Sequence, residues 1–207
     1  MGGIALDYTS FKAFLGGGGG GGYMDNGLNC TAGSNGGGIV FISTPIINGN
    51  NQSILANGAS VIGNTDSEGA GGGGAGGCVY LMVQSLNSNL NVNVNGGNGG
   101  NIFSTMWSSE CHGPGGGGGG GAIAFTQASL PPNVTASMSG GLSGMVLHNG
   151  PPCAGTAFGA QSGASGILVP SYVPPIPGPN PNLGNDTIIC AGSSIQLQAD
   201  TLFPSYI

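Results

Sequence analysis

Gly71-Gly72-Gly73-Gly74-Ala75-Gly76-Gly77-Cys78-Val79-Tyr80-Leu81-Met82-Val83 sets a run almost without side chains directly against a run that is wholly apolar. The first half cannot catalyse, ligate or stack, so whatever it does it does with bare peptide groups. The second half, rich in β-branched and aromatic residues, reads as a strand. The same junction recurs along the chain. Gly36-Gly37-Gly38 leads into Ile39-Val40-Phe41-Ile42-Ser43, Gly115 to Gly121 leads into Ala122-Ile123-Ala124-Phe125-Thr126, and Gly166 leads into Ile167-Leu168-Val169. Behind the strands at Ile39, Cys78 and Ala122 comes a second run: Ile54-Leu55-Ala56-Asn57-Gly58-Ala59, Leu90-Asn91-Val92-Asn93-Val94, and Val134-Thr135-Ala136-Ser137-Met138-Ser139.

Strand starts therefore recur about every forty residues, the signature of a repeat architecture. Each unit reads as strand, turn, alternating strand, excursion and glycine tract. The alternation in Leu90 to Val94 marks a strand with one buried face. The nearly continuous apolar runs at Ile39 and Cys78 predict strands covered on both faces. Helix is excluded by the absence of a 3.6-residue period and by a glycine cost of about 1 kcal/mol per helical position.

The tracts read either as flexible linkers or as packed elements. They recur at matching points of each unit and are almost free of serine and charge, which favours packing. The expected form is an extended, polyproline-II-like glycine helix rising about 3.1 Å per residue, with several lying side by side. Such helices have no internal hydrogen bonds, so each buried N–H and C=O needs a lateral partner. Ordering glycine costs more entropy than ordering any other residue. Several tracts must then order together, or none will.

Glycine accounts for 47 of the 207 residues, about three times ordinary usage. Disorder is nonetheless a poor reading, because charged residues are only 4%, hydrophobic residues reach 39% and the mean hydropathy is +0.19. One basic residue, Lys12, stands against seven acids, which argues against nucleic acid and anionic membranes as partners. No apolar run approaches the roughly 18 residues of a membrane span. Met1-Gly2-Gly3 lacks the basic start of a signal peptide, and the chain reads as a piece of a longer polypeptide. Five cysteines, Cys30, Cys78, Cys111, Cys153 and Cys190, show no zinc spacing. Disulfides in an oxidising compartment are the better reading. Cys111 and Cys153 occupy equivalent excursions one unit apart and form the expected bridge. Cys78 opens an apolar strand and suits a buried thiol.

The glycine tracts with Ile39-Val40-Phe41-Ile42, Val79-Tyr80-Leu81 and Val92-Asn93-Val94-Asn95-Gly96-Gly97-Asn98-Gly99-Gly100 resemble the glycine-rich repeat regions of large secreted bacterial surface proteins. They are also similar to the glycine-rich domain of the anaplastic lymphoma kinase ectodomain and to some phage tail-tip adhesins, a resemblance that implies a bundle of polyglycine helices. After a proline-rich stretch, Leu183-Gly184-Asn185-Asp186-Thr187-Ile188-Ile189-Cys190-Ala191-Gly192 and the alternating Ile195-Gln196-Leu197-Gln198-Ala199 resemble the opening of PKD-like or immunoglobulin-like modules of Bacteroidetes surface proteins. That resemblance implies type IX export and a gliding or adhesion role, and it leaves Cys190 without its module partner. The expected organisation is an all-β, polyglycine-helix repeat domain over 1–169, a linker over 170–182 and an incomplete Ig-like or PKD-like module over 183–207.

Chemistry is hard to assemble from what remains. Gly-x-Gly-x-x-Gly matches occur everywhere in polyglycine, and no following helix or lysine makes a phosphate loop of them. Glu110, Cys111 and His112 are adjacent, but neighbours in an extended chain point apart, whereas a base must reach its nucleophile in space. His148, one unit later, is read as a loop histidine. Asp25-Asn26-Gly27 and Asp66-Ser67-Glu68 lack the spacing of a calcium loop, so they read as acids solvating loops. No cofactor, metal or catalytic residue is expected.

The expected function is that of an extracellular structural and adhesive protein, a rigid stalk or filament segment that displays variable loops. Its partners would be other copies of itself or components of the cell surface and extracellular matrix, with no nucleic acid and no membrane insertion. The alternative is a glycan- or receptor-binding adhesin using the aromatics Tyr23, Trp107 and Tyr172.

Overall fold

The computed structural model describes residues 2–3, 13–25, 29–66, 68–103, 111–147 and 153–173. All belong to one compact unit, Met1–Val173; the other, Pro174–Ile207, holds most of the expected linker and the whole of the 183–207 fragment and lies outside the described residues.

No helix occurs among the described residues. The strands are β1 (Ile39–Asn48), β2 (Gln52–Leu55), β3 (Asn64–Thr65), β4 (Cys78–Asn87), β5 (Leu90–Asn93), β6 (Asn101–Ile102), β7 (Ala122–Phe125), β8 (Val134–Ser137) and β9 (Ile167–Val169). They form a four-stranded sheet in the order β1-β4-β7-β9, a three-stranded sheet β2-β5-β8 and a two-stranded sheet β3-β6. Every pairing is parallel, unlike the antiparallel sheets of an Ig-like module. Parallel neighbours need a crossover between them, and here the remainder of each unit supplies it. Each strand pairs with its own counterpart in the next unit: Ile39 with Cys78, Cys78 with Ala122, and Ala122 with Ile167. The chain thus winds in successive coils that lay each strand beside its counterpart in the coil before, and an isolated bridge from Ile102 to Val146 extends the small sheet.

The main core lies between the two larger sheets. Val79, Leu81, Val83, Ile123 and Phe125 from one meet Leu90, Val92, Val94 and Val134 from the other. Burying each such side chain contributes about 1.5–3 kcal/mol. The alternation predicted for Leu90 to Val94 is present, with Leu90, Val92 and Val94 buried and the asparagines between them half-exposed. β4 is covered on both faces from Cys78 to Leu81. β1 is not: Ile39 and Phe41 are exposed, because β1 is an edge strand paired only to β4 and its outer face has little packed against it.

A smaller cluster covers the other face of the four-stranded sheet. Ala122 and Ala124 leave room beside Tyr80, and the Tyr172 ring lies there with its centroid 5.1 Å from that of Tyr80. Ser171 and Tyr172 donate to the Gln127 and Phe125 carbonyls at 2.8 and 2.9 Å. The compact unit therefore runs past the expected boundary at 169, to Val173.

The glycine tracts pack against one another through hydrogen bonds that recur every third residue. In 69–77, the N–H groups of Gly69, Gly72 and Ala75 donate to the carbonyls of Tyr23, Gly20 and Gly17, running antiparallel. Those of Ala70, Gly73 and Gly76 donate to Gly113, Gly116 and Gly119, running parallel, while Gly74 and Gly77 donate to Ala59 and Ala56. The Gly71 N–H donates to Thr31 Oγ1 at 2.9 Å. Every amide of the segment thus has a partner, which answers the satisfaction requirement of a buried backbone. Carbonyls of the same segment accept from Ser34 and Gly37 and from Gly97 and Gly100. Backbones approach so closely that a Cβ on Gly118 would collide with the Gly74 carbonyl.

Candidate functional site

With the lattice built from peptide groups, chemistry-bearing side chains collect where coils leave it. One such place lies beyond β6. Cys111 and Cys153 are joined in a disulfide with a Cα–Cα distance of 6.0 Å and a sequence separation of 42. Cys153 packs with Ile102 and Val146, and Ala70 and Cys111 flank them. A turn holds Cys153 in place: its carbonyl accepts from the Thr156 N–H at 3.1 Å and from Thr156 Oγ1 at 2.6 Å. Gly155, at φ +72°, supplies the left-handed residue that turn requires. Cys78 is buried in its strand and Cys30 is half-buried, both as free thiols.

The aromatics expected to meet a partner are not equivalent. Tyr23 is 73% exposed. Tyr172 is 5% exposed and belongs to the cluster under the four-stranded sheet, so its ring is structural and does not form part of a displayed loop. Trp107 lies outside the described residues, as do Glu110 and His148. His112 is half-exposed beside the disulfide.

The two acidic loops, separate in sequence, meet in space. The Asp25 N–H donates to Glu68 Oε2 at 3.4 Å, the Asp66 N–H to the Asn29 carbonyl at 3.3 Å, and the Gly69 N–H to the Tyr23 carbonyl at 3.0 Å. Beneath them Thr31 Oγ1 and the fully buried Thr65 Oγ1 share a 3.0 Å hydrogen bond. Glu68 is only 2% exposed, and its Oε1 has no hydrogen-bond partner. Among the described residues no group of three His, Cys, Asp or Glu side chains is arranged to hold a metal ion.

Two further features bear on what the surface can do. Asn95, Asn98 and Asn101 accept from the Ser139, Leu142 and Met145 N–H groups at 2.8, 2.8 and 2.9 Å. In return Gly96, Gly99 and Ile102 donate to the carbonyls of those same three residues. Sequence reasoning overlooks this ladder, although Asn95-Gly96-Gly97-Asn98-Gly99-Gly100-Asn101 carries its three-residue period openly. The second feature is a groove of about 350 Å³ lined by Gly16 to Gly20, Gly72, Gly73, Gly76 and Gly116 to Gly120, with Leu15 and Ala75 as its side chains. Apart from those two side chains its walls are bare backbone. No family model matches the chain, and neither a curated protein nor a solved structure resembles it closely enough to count as a match.

Proposed function

We propose that the glycine tracts are polyglycine-II-like helices and that the protein is an extracellular structural and adhesive element. It would serve as a rigid stalk or filament segment of a bacterial surface protein of the Bacteroidetes type, carried on toward an Ig-like or PKD-like module. The observation that supports this most is the complete pairing of the amides of 69–77 to neighbouring segments at every third residue. A lattice of that kind resists bending because each tract is held from several sides, and it leaves binding to the excursions. The disulfide between Cys111 and Cys153 suits an oxidising, extracellular setting. Partners would be further copies or cell-surface and matrix components, without nucleic acid, membrane insertion or catalysis.

Electron microscopy of the natively exported protein tests the reading. Rods or filaments at the cell surface, with adhesion lost when the chain is deleted, are the expected result. A cytoplasmic protein, or adhesion indifferent to its deletion, would sink the proposal. The exposure of Tyr23 supports a second reading, a glycan- or receptor-binding adhesin. Saturable glycan binding lost in Tyr23→Ala or Trp107→Ala, without change in particle shape, would favour it.

A further inference from the structure

We propose that the glycine groove is a docking slot for the outer tract, 16–22, of a second copy of this chain. Two of its walls lack partners in the same three-residue rhythm that builds the lattice. Along 115–121, Gly115, Gly118 and Gly121 donate to Gly100, Gly97 and Val94, and Gly117 and Gly120 donate to Gln161 and Ala164. The Gly116 and Gly119 N–H groups have no acceptor among the described residues. Along 71–76, the carbonyls of Gly71, Gly72, Gly74 and Ala75 each accept an N–H, whereas those of Gly73 and Gly76 accept none among the described residues. All four of these residues line the groove, and Gly73, Gly76 and Gly119 are buried. Buried peptide groups are paired almost without exception. Two donors and two acceptors, each pair three residues apart, therefore call for one more backbone alongside them.

The slot's chemistry selects the occupant. Its walls carry only Leu15 and Ala75 as side chains, and tracts in this lattice approach so closely that a Cβ on Gly96 would strike the Gly118 carbonyl. The occupant must then be extended and glycine-rich, with the three-residue period of both rows. Of the chain's tracts, 71–77 and 115–121 are already enclosed. Gly17, Gly18 and Gly20 of the outer tract are exposed, and their N–H groups donate to nothing among the described residues. A Cβ at Gly17 or Gly20 meets nothing within 4 Å. That tract is also a wall of the groove, so a second copy's tract in the groove lies beside its own counterpart. A twofold axis between the two seats each tract in the groove of the other, giving a closed, isologous pair. The inference rests on the reading of the tracts as packed glycine helices, and not on the adhesive role.

The test uses the whole chain. Sedimentation velocity from micromolar to sub-millimolar concentration should show a monomer–dimer equilibrium, and Gly17→Leu should weaken it by at least about tenfold through the bulk placed in the slot. Amide exchange, followed by NMR at the same concentrations, should slow at Gly116 and Gly119 as the dimer forms, while Gly117 and Gly118 exchange slowly throughout. Should Gly17→Leu fail to fold, the concentration dependence at Gly116 and Gly119 of the parent decides by itself. A monomer at every concentration, or a dimer untouched by Gly17→Leu, would overturn the proposal. So would slow exchange at Gly116 and Gly119 in the monomer, which would mean that the groove is filled from within the chain. Fast exchange at Gly117 and Gly118 would remove the packed-glycine reading itself, and the docking slot with it. Slow exchange there with Gly116 and Gly119 fast at every concentration would remove the docking slot alone.

Discussion

Two glycine tracts of equal composition, 115–121 and 16–22, sit in opposite environments. Among the first, all but the half-exposed Gly116 are buried; in the second, Gly17, Gly18, Gly20 and Gly21 are exposed. A Cβ on Gly115, Gly117, Gly118, Gly120 or Gly121 would strike a carbonyl of a neighbouring segment. Along 16–22 the collisions fall only at Gly16, Gly19 and Gly22, while Gly17, Gly20 and Gly21 meet nothing within 4 Å. Glycine is therefore obligatory where other backbones surround the tract, and needed only at every third position where a tract lies on the outside. Polyglycine looks uniform in sequence, but its tolerance is set by how many sides are occupied.

The sharpest way to break this contrast is Gly118→Val. Its side chain has only the Gly74 and Ala75 backbone to displace, and separating the tracts orphans the bonds from Gly118 to Gly97 and from Gly141 to Gly118. We expect a loss of more than about 4 kcal/mol, seen as disappearance of the cooperative transition in chemical denaturation. If Gly118→Val unfolds like the parent, the tract is not packed as described. Next in size is the covalent staple. Replacing both Cys111 and Cys153 by serine should cost about 2–4 kcal/mol, measured as a lower denaturation midpoint that reductant no longer changes. The lattice should survive it, so amides of 115–121 should still exchange more slowly than those of 16–22. Faster exchange in the interior tract would mean that the staple, and not the glycine contacts, holds that end together.

A smaller effect is expected at the asparagine ladder. Asn98→Ala removes the acceptor for the Leu142 N–H and should destabilise by about 1 kcal/mol, the worth of one partly exposed hydrogen bond; no change in midpoint would count against the ladder. The smallest belongs to the outer tract. Gly20→Ala, with open space around its Cβ, should leave stability unchanged or raise it by about 0.4–1 kcal/mol through the unfolded chain. A clear destabilisation there would show that the outer tract is packed on a further side.

The unit and its strands are legible from residue type alone. Ile39, Cys78, Leu90, Ala122, Val134 and Ile167 each open or begin a strand where the apolar runs predict one. Less legible is how units combine, because parallel pairing of Ile39 with Cys78 and of Cys78 with Ala122 depends on the chain returning through the tracts. Edge position is equally hidden: the run at Ile39 is as apolar as that at Cys78, yet of these two strands β4 has neighbours on both sides and β1 on one. Tyr172 looks like a linker aromatic until the alanines of β7 open a place for its ring beside Tyr80. Glu68 belongs to the same class of omissions. An acid in a Ser- and Gly-containing loop reads as solvated, and only the approach of a loop some forty residues away encloses it.

The three-residue recurrence of the lattice bonds has a consequence for how the coils find their places. A glycine tract slid along its neighbour by three residues offers the same peptide groups again, so the tracts carry no alignment information of their own. Alignment must come from the ends, where Cys78 locks to Ile39, Ala122 to Cys78 and Ile167 to Ala122, and where Asn95 and Asn98 meet Ser139 and Leu142. Strands and asparagines act as the index marks of a scale whose rulings are all alike. Insertions in an excursion then leave the coils in step, whereas a tract lengthened by one residue would turn every following amide toward the wrong neighbour.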